Sequence, residues 1–168
     1  ISSIYFDNHK LSSYHQSIEG LVPRKKIRLR AYGDIKDKFK NSNLETKINS
    51  VEGRFKKSEK IKNPLKILEN GIFDKEYGLC FPIIQVDYLR EYFKVFNIRM
   101  TVDTKIKYKE YNKHLNKYYN MDDEIIIEAK AKIGNIEMFN YIDKKIHFEK
   151  IRFSKYCNSI EKVFYKLI

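Results

Sequence analysis

Three cations stand at alternate positions in "RKKIRLRAYG", residues 24–33: Lys26, Arg28 and Arg30, with Ile27 and Leu29 between them. In an extended strand successive side chains leave on opposite faces, so this spacing puts the three cations on one face and Ile27, Leu29 and Ala31 on the other. Like charges stacked in this way repel. Either bulk water on an exposed sheet face or a bound anion must offset that repulsion. Two carboxylates recur beside cations in the triplets "ETK" (Glu45, Lys47) and "EAK" (Glu128, Lys130). A carboxylate so placed either closes an internal ion pair or, together with substrate oxygens, holds Mg²⁺ or Mn²⁺. His9, His15, His114 and His147 are scattered, and Cys80 and Cys157 stand apart. That spacing supports neither a zinc site nor a Cys-His or Ser-His-Asp nucleophile.

The elements that must position these groups are legible as strands broken by short helices. "SSIYFDN" reads as a strand ending at Asp7-Asn8, and "HKLSSYHQSIEG" as a short helix closed by Gly20. The cationic strand follows, then "NLETKINS" and "RFKKSEKI" as a hairpin about Glu52-Gly53. "NPLKILENG" carries a helix start at Asn63-Pro64 and a stop at Gly71. "FPIIQVDYLREYFKVFNIRMTVDTKI" predicts two antiparallel strands turning near Lys94 to Asn97. "YKEYNKHLNKYYNMDD" reads as a polar loop with a helical turn, "DEIIIEAKAKI" as a strand, and "NIEMFNYIDKKI" and "FSKYCNSIEKVFYKLI" as closing helices.

The polar residues of these strands fall in phase. Glu45 and Lys47 share a face; so do Tyr88, Arg90 and Tyr92, then Arg99, Thr101 and Asp103, then Glu128 and Lys130. Arginine concentrates on these faces although most cations of the chain are lysine, and arginine suits planar, multidentate phosphate contacts. A solvated sheet face accounts for each strand singly. The number of strands argues against it, because such a sheet can close into a barrel whose cation-lined interior water alone would stabilise poorly.

Composition bounds the partners. The chain has 168 residues, enough for one domain, with a formal charge of +12 and a pI near 9.5. These values favour an anionic partner: nucleic acid, a phosphorylated metabolite, polyphosphate or an acidic membrane surface. No apolar run approaches the ~18–20 residues needed to cross a bilayer, and no signal peptide opens the sequence. The two isolated cysteines point to a reducing, cytoplasmic setting. The opening "ISSIYF" reads as the middle of an apolar pattern, which predicts residues upstream.

Taken together, "SIYFDN", "RKKIRLRAYG", "LETK", "DYLREYF", "IRMTVD", "IIEAK" and "FSKYC" occur in an order and spacing that resemble the VTC domain. This is the polyphosphate polymerase domain of the triphosphate tunnel fold, in the CYTH-like superfamily. The resemblance runs from Ser2 to Cys157. It implies one α+β domain over residues 1–168: an antiparallel β-barrel tunnel with short helices packed outside and a C-terminal helix. Its basic interior would bind ATP, triphosphate or polyphosphate, a glutamate would hold Mn²⁺ or Mg²⁺, and the γ-phosphate of ATP would pass to a growing polyphosphate chain.

Carried over by position, Arg28 and Arg30 match the paired tunnel arginines, with Lys26 a third member. Lys47 matches a tunnel lysine, Arg90 and Arg99 the arginines of the later strand pair, and Lys155 a lysine on the closing helix. The resemblance makes Arg28, Arg30, Lys47, Arg90, Arg99 and Lys155 the catalytic set. Lys26, Arg54, Lys56 and Lys130 join them in substrate binding. Glu128 matches the metal-binding glutamate, and Glu45 is the second metal candidate; Ser154 and Tyr156 are expected to be structural. Family members also carry a strand and a helix before "SIYFD", so the resemblance implies that an N-terminal strand of the tunnel is absent from this chain. A triphosphatase, a binding module for polyphosphate or inositol polyphosphates, and an interaction with a membrane-associated partner stay open. Nucleic acid is not expected, although Tyr32, Tyr88 and Tyr92 could serve as stacking platforms.

Overall fold

The computed structural model describes residues 1–33, 42–111, 118–120, 124–131, 136–145 and 150–165. The strands are β1 (Ser2–Asp7), β2 (Arg24–Ala31), β3 (Asn43–Ser50), β4 (Gly53–Lys60), β5 (Ile72–Asp74), β6 (Gly78–Val95), β7 (Ile98–Glu110), β8 (Tyr118–Asn120) and β9 (Ile126–Lys130). The helices are α1 (Ser12–Glu19), α2 (Pro64–Asn70), α3 (Ile136–Lys145) and α4 (Lys155–Ile160), the last running into a π-helical turn over Glu161–Tyr165.

Every described pairing is antiparallel, in the order β4-β3-β2-β1-β6-β7-β8, with β5 on β6 and β9 on β7. Right-handed twist curls a sheet of this width, and this one forms a half-barrel. Among the described residues no pairing joins β4 to β8 or β9. The closed barrel expected from the resemblance is therefore seen as its curled wall. β1 is paired on both sides and lies at the sheet's centre; the described sheet ends at β4 on one side and at β8 and β9, beyond β7, on the other.

Period-two alternation splits the core into two layers. Ile4, Phe6, Ile27 and Leu29 pack on the convex face under Leu68 of α2, with Tyr77 and Cys80. Tyr5, Ile84, Val86, Tyr88, Ile106 and Tyr108 face the concave side, where Tyr156, Cys157 and Ile160 of α4 cover them. Thus α2 lies outside as expected, while α4 lies inside the curve. Its position is fixed by a buried carboxylate: Asp7 accepts the Tyr156 hydroxyl at 2.6 Å and the backbone N–H groups of Ser13 and Tyr14 at 3.1 and 3.0 Å. One side chain therefore caps α1 and ties α4 to β1.

Most expected elements form. The β6–β7 hairpin turns at Phe96-Asn97, with φ of 46° and 64°, the left-handed geometry that suits a two-residue hairpin loop. Gly71 has φ 77°, and a Cβ there would lie 2.6 Å from the Cys80 carbonyl oxygen. Only glycine fits between α2 and β6. Two readings change. "YKEYNKHLNKYYNMDD" is not one loop: residues 108–110 extend β7 and residues 118–120 form β8, while residues 112–117 and 121–123 lie outside the described residues. β5 was not anticipated, since three residues are too few to show a period.

Candidate functional site

The concave face encloses a cavity of about 920 Å³. All ten cations singled out in the sequence line it: Lys26, Arg28 and Arg30 from β2, Lys47 from β3, Arg54 and Lys56 from β4, Arg90 from β6, Arg99 from β7, Lys130 from β9 and Lys155 from α4. Glu128 lines it as well; Glu45 stands behind the lining. Register explains the convergence. Lys26, Lys47 and Lys56 lie directly opposite one another across β2, β3 and β4, and Arg28 lies opposite Glu45. On the other half of the sheet, Lys94, Arg99 and Lys130 form one rank, Tyr92, Thr101 and Glu128 the next, and Arg90, Asp103 and Ile126 a third.

Two buried carboxylates organise the cations. Glu45 is the first. Its Oε2 accepts from Arg28 Nε and NH2 at 2.8 and 2.6 Å, and its Oε1 lies 2.5 Å from Lys56 Nζ. Arg30 NH1 is 3.8 Å away. Burial would push the Glu45 carboxyl up, but Arg28 and Lys56 outweigh it and hold it at about 2. Further donors of the arginine pair also meet protein: Arg28 NH1 donates to the Tyr5 hydroxyl at 3.1 Å, Arg30 Nε to Ser3 Oγ at 3.3 Å, and Arg30 NH2 to the Tyr88 hydroxyl. The Tyr5 phenol is buried, which would raise its pKa, yet Arg28 and Arg30 hold it below the ordinary value.

Asp103 is the second. It is fully buried and accepts from Arg90 Nε and NH2 at 2.5 and 2.6 Å, while Lys155 Nζ lies 2.5 Å from its Oδ2. Burial opposes its ionisation, and Arg90 and Lys155 more than compensate, so its carboxyl stays below the usual range. Lys155, Arg90 and Arg30 also surround the Tyr88 ring, at 4.9, 5.3 and 6.0 Å from its centroid. Ser154 caps α4 by accepting from the Cys157 N–H at 3.3 Å, and its Oγ lies 2.7 Å from Lys26 Nζ. Both Ser154 and Tyr156 hold α4 in place, as expected.

Lys47 differs from its neighbours. It has no ion-pair partner among the described residues, and it lines the cavity. Desolvation by the surrounding wall, followed by the Arg28 charge, lowers its ammonium to about 8. Of the two candidate metal carboxylates, Glu45 and Glu128, Glu128 is the open one. Its side chain is 46% exposed and pairs with Lys130 at 2.9 Å. Burial on one side raises its pKa less than Lys130, Lys47 and Arg90 lower it.

Sequence reasoning missed several residues of the site. Arg24 is in phase with Lys26 and was findable by the same alternation; it instead donates to the Gly20 and Leu21 carbonyls at the end of α1, at 3.1 and 2.6 Å. Arg152 similarly donates to the Ser17 carbonyl at 2.8 Å. Asp103 was placed on the cationic face but without a role, and Tyr5 carried no local signal. Cys80 and Cys157 are buried and free, and no described helix is long and apolar enough to cross a membrane.

Comparison with known proteins agrees with this geometry. No curated protein matches the chain. Among solved structures, a Bacillus halodurans protein described as a candidate adenylate cyclase aligns with a TM-score of 0.61 at 13% identity, over 97% of this chain and 81% of that one. At that identity the likeness concerns the fold, the CYTH-like tunnel. The family model of the VTC domain matches residues 1–76 and 69–164. The cation-lined half-barrel is thus the tunnel wall of its family, and the chain belongs to the VTC domain family.

Proposed function

We propose that this domain binds an oligophosphate along its concave face and transfers the terminal phosphoryl group of ATP to a polyphosphate chain. The observation that carries the reading is the convergence of ten cations from seven elements on one cavity, whose lining holds two carboxylates among the described residues, Glu128 and Glu161. A linear polyanion is the ligand whose charge is distributed along such a groove.

The chemistry asks little of the side chains. An oxygen of the terminal phosphate of the acceptor chain attacks the γ-phosphorus; the new P–O bond forms as the bond from that phosphorus to the β,γ-bridging oxygen breaks, and ADP leaves with that oxygen. The attacking oxygen is already ionised, so no general base is required. Positioning and charge neutralisation remain, and these are what Lys26, Lys47, Arg99 and Lys155 supply around the reacting phosphate. Arg28, Arg30 and Arg90, each with two or three donors directed to protein groups, add fixed positive charge and shape to the floor.

A divalent cation fits Glu128 better than Glu45. Mg²⁺ and Mn²⁺ bind through one or two carboxylates plus phosphate oxygens, and Glu128 is accessible with an ordinary surface partner to displace. Both oxygens of Glu45 are engaged by Arg28 and Lys56, so it serves as their counter-ion. Among the described residues no group of three or more acidic, His or Cys side chains converges, so Glu128 would share the cation with the substrate. When bound there, the metal would neutralise charge on the phosphates.

The test is incubation of the protein with ATP and Mn²⁺, with polyphosphate and free phosphate measured separately. Polyphosphate is expected. Free phosphate alone would make the domain a triphosphatase, and ATP or polyphosphate binding without turnover would make it a binding module.

A further inference from the structure

A hydroxyl buried without a partner is costly, and natural structures hold few of them. Among the described residues two side-chain oxygens are so placed, Ser17 Oγ and Thr101 Oγ1, and both residues line the cavity. Ser17 lies in α1, where a serine can turn to the carbonyl one helical turn earlier. Thr101 has no such outlet, because the backbone carbonyls around it in β7 face the ladders with β6 and β9. It is only 4% exposed. On the concave face it stands two residues from Arg99 on its own strand, and its register partners are Tyr92 on β6 and Glu128 on β9. Arg90 is diagonal to it, since Arg90 pairs with Asp103, two residues further along β7. Thr101 therefore occupies the gap between the two arginines of the later strand pair.

We propose that Thr101 Oγ1 is a hydrogen-bond donor to a phosphoryl oxygen bound between Arg90 and Arg99, a contact that rests on the oligophosphate reading of the cavity. A phosphoryl oxygen accepts from a neutral hydroxyl as well as from a guanidinium, the hydroxyl bond being the weaker of the two. In this position the ligand supplies the partner that the folded protein does not. The side chain is a positioning and affinity determinant; it takes part in no bond-making step.

The experiment separates function from packing by the signs of two effects. Thr101→Val keeps the shape and removes the hydroxyl, and valine suits a strand. Thermal stability of the full chain should be unchanged or higher, because the unpartnered group is gone. Affinity for inorganic tripolyphosphate, measured by calorimetry in EDTA, should fall about tenfold, and Thr101→Ser should restore it. Wild-type protein that binds tripolyphosphate no better than its Thr101→Val variant would overturn this contact while leaving the tunnel intact. A loss of stability with unchanged affinity would do the same by showing a packing role. A deficit seen only when Mn²⁺ is present would place the hydroxyl on the metal side instead and would also overturn it. Wild-type protein that fails to bind tripolyphosphate would overturn the oligophosphate reading itself, together with this contact.

Discussion

β3 and β9 carry the same pattern, Glu45-Thr46-Lys47 and Glu128-Ala129-Lys130, yet the fold uses them in opposite ways. On β3 the glutamate is buried, both its oxygens are taken by cations of neighbouring strands, and Lys47 is left without an ion-pair partner among the described residues. On β9 the glutamate stays accessible and pairs with its own Lys130. Register makes the difference. β3 lies between two cationic strands, and Arg28 is directly opposite Glu45. β9 is paired in the described structure with β7, where the residue opposite Glu128 is the neutral Thr101. The glutamate on the doubly flanked strand is an internal counter-ion; the one on the strand seen paired on one side stays accessible.

The largest effect should come from breaking the β3 side. Glu45→Ala leaves Arg28 buried beside no carboxylate and should destabilise the fold by about 3–5 kcal/mol, read from urea unfolding. Acid should expose the same dependence. The Glu45 carboxyl titrates at about 2 in the folded chain against an ordinary 4.5, so its contribution is fully present above 4.5 and is lost as the pH falls towards 2. A Glu45→Gln variant should show a flatter stability curve over that window. An unchanged slope would mean that the Arg28 and Lys56 contacts do not hold in solution.

The β9 side should behave in reverse. Glu128→Gln should leave the unfolding free energy within about 0.5 kcal/mol of wild type, as expected for a partly exposed pair. Metal-dependent turnover should nevertheless drop about 100-fold. Retained turnover in that variant would remove Glu128 from the metal site.

Lys47 gives a smaller, pH-dependent contrast. Because its folded pKa lies near 8, below the ordinary 10.5, the protonated form is disfavoured in the free domain, and stability should rise as the pH climbs from about 8 to 10.5. If the proposed oligophosphate site holds, tripolyphosphate binds the protonated form, so affinity should decline across the same rise, by about fivefold relative to Lys47→Arg, which keeps its charge. Parallel profiles for the two proteins would show that Lys47 does not meet the ligand. Lys130→Ala is the mildest change: the exposed pair with Glu128 should contribute no more than about 0.5 kcal/mol to stability.

Much of this was legible in the chain, for local reasons. The alternation at Lys26, Arg28 and Arg30 assigned a strand and its two faces, because side-chain direction in a strand depends only on parity. The same parity placed Arg90, Arg99 and Lys130 on the cavity side, and Gly20 and Gly71 ended their helices as expected. Other features were hidden. Asp103 reads as one more polar residue of an alternating strand until Lys155, 52 positions later in sequence, is folded against it. Tyr5 reads as core, and only the proximity of Arg28 makes its phenol part of the site. The location of α4 on the concave side depends on Asp7 and Tyr156, whose hydrogen bond spans 149 positions.

The sequence by itself determined which residues share a face, since parity along a strand and 3.6-residue spacing along a helix are local rules. It therefore determined that one face of the sheet would be cationic. Tertiary structure alone decided which carboxylate is spent on neutralising that face and which is kept accessible. Lateral register brings Arg28 and Lys56 against Glu45, and neutral Thr101 against Glu128. No local rule encodes that register, because it follows from how strands distant in the chain are brought side by side.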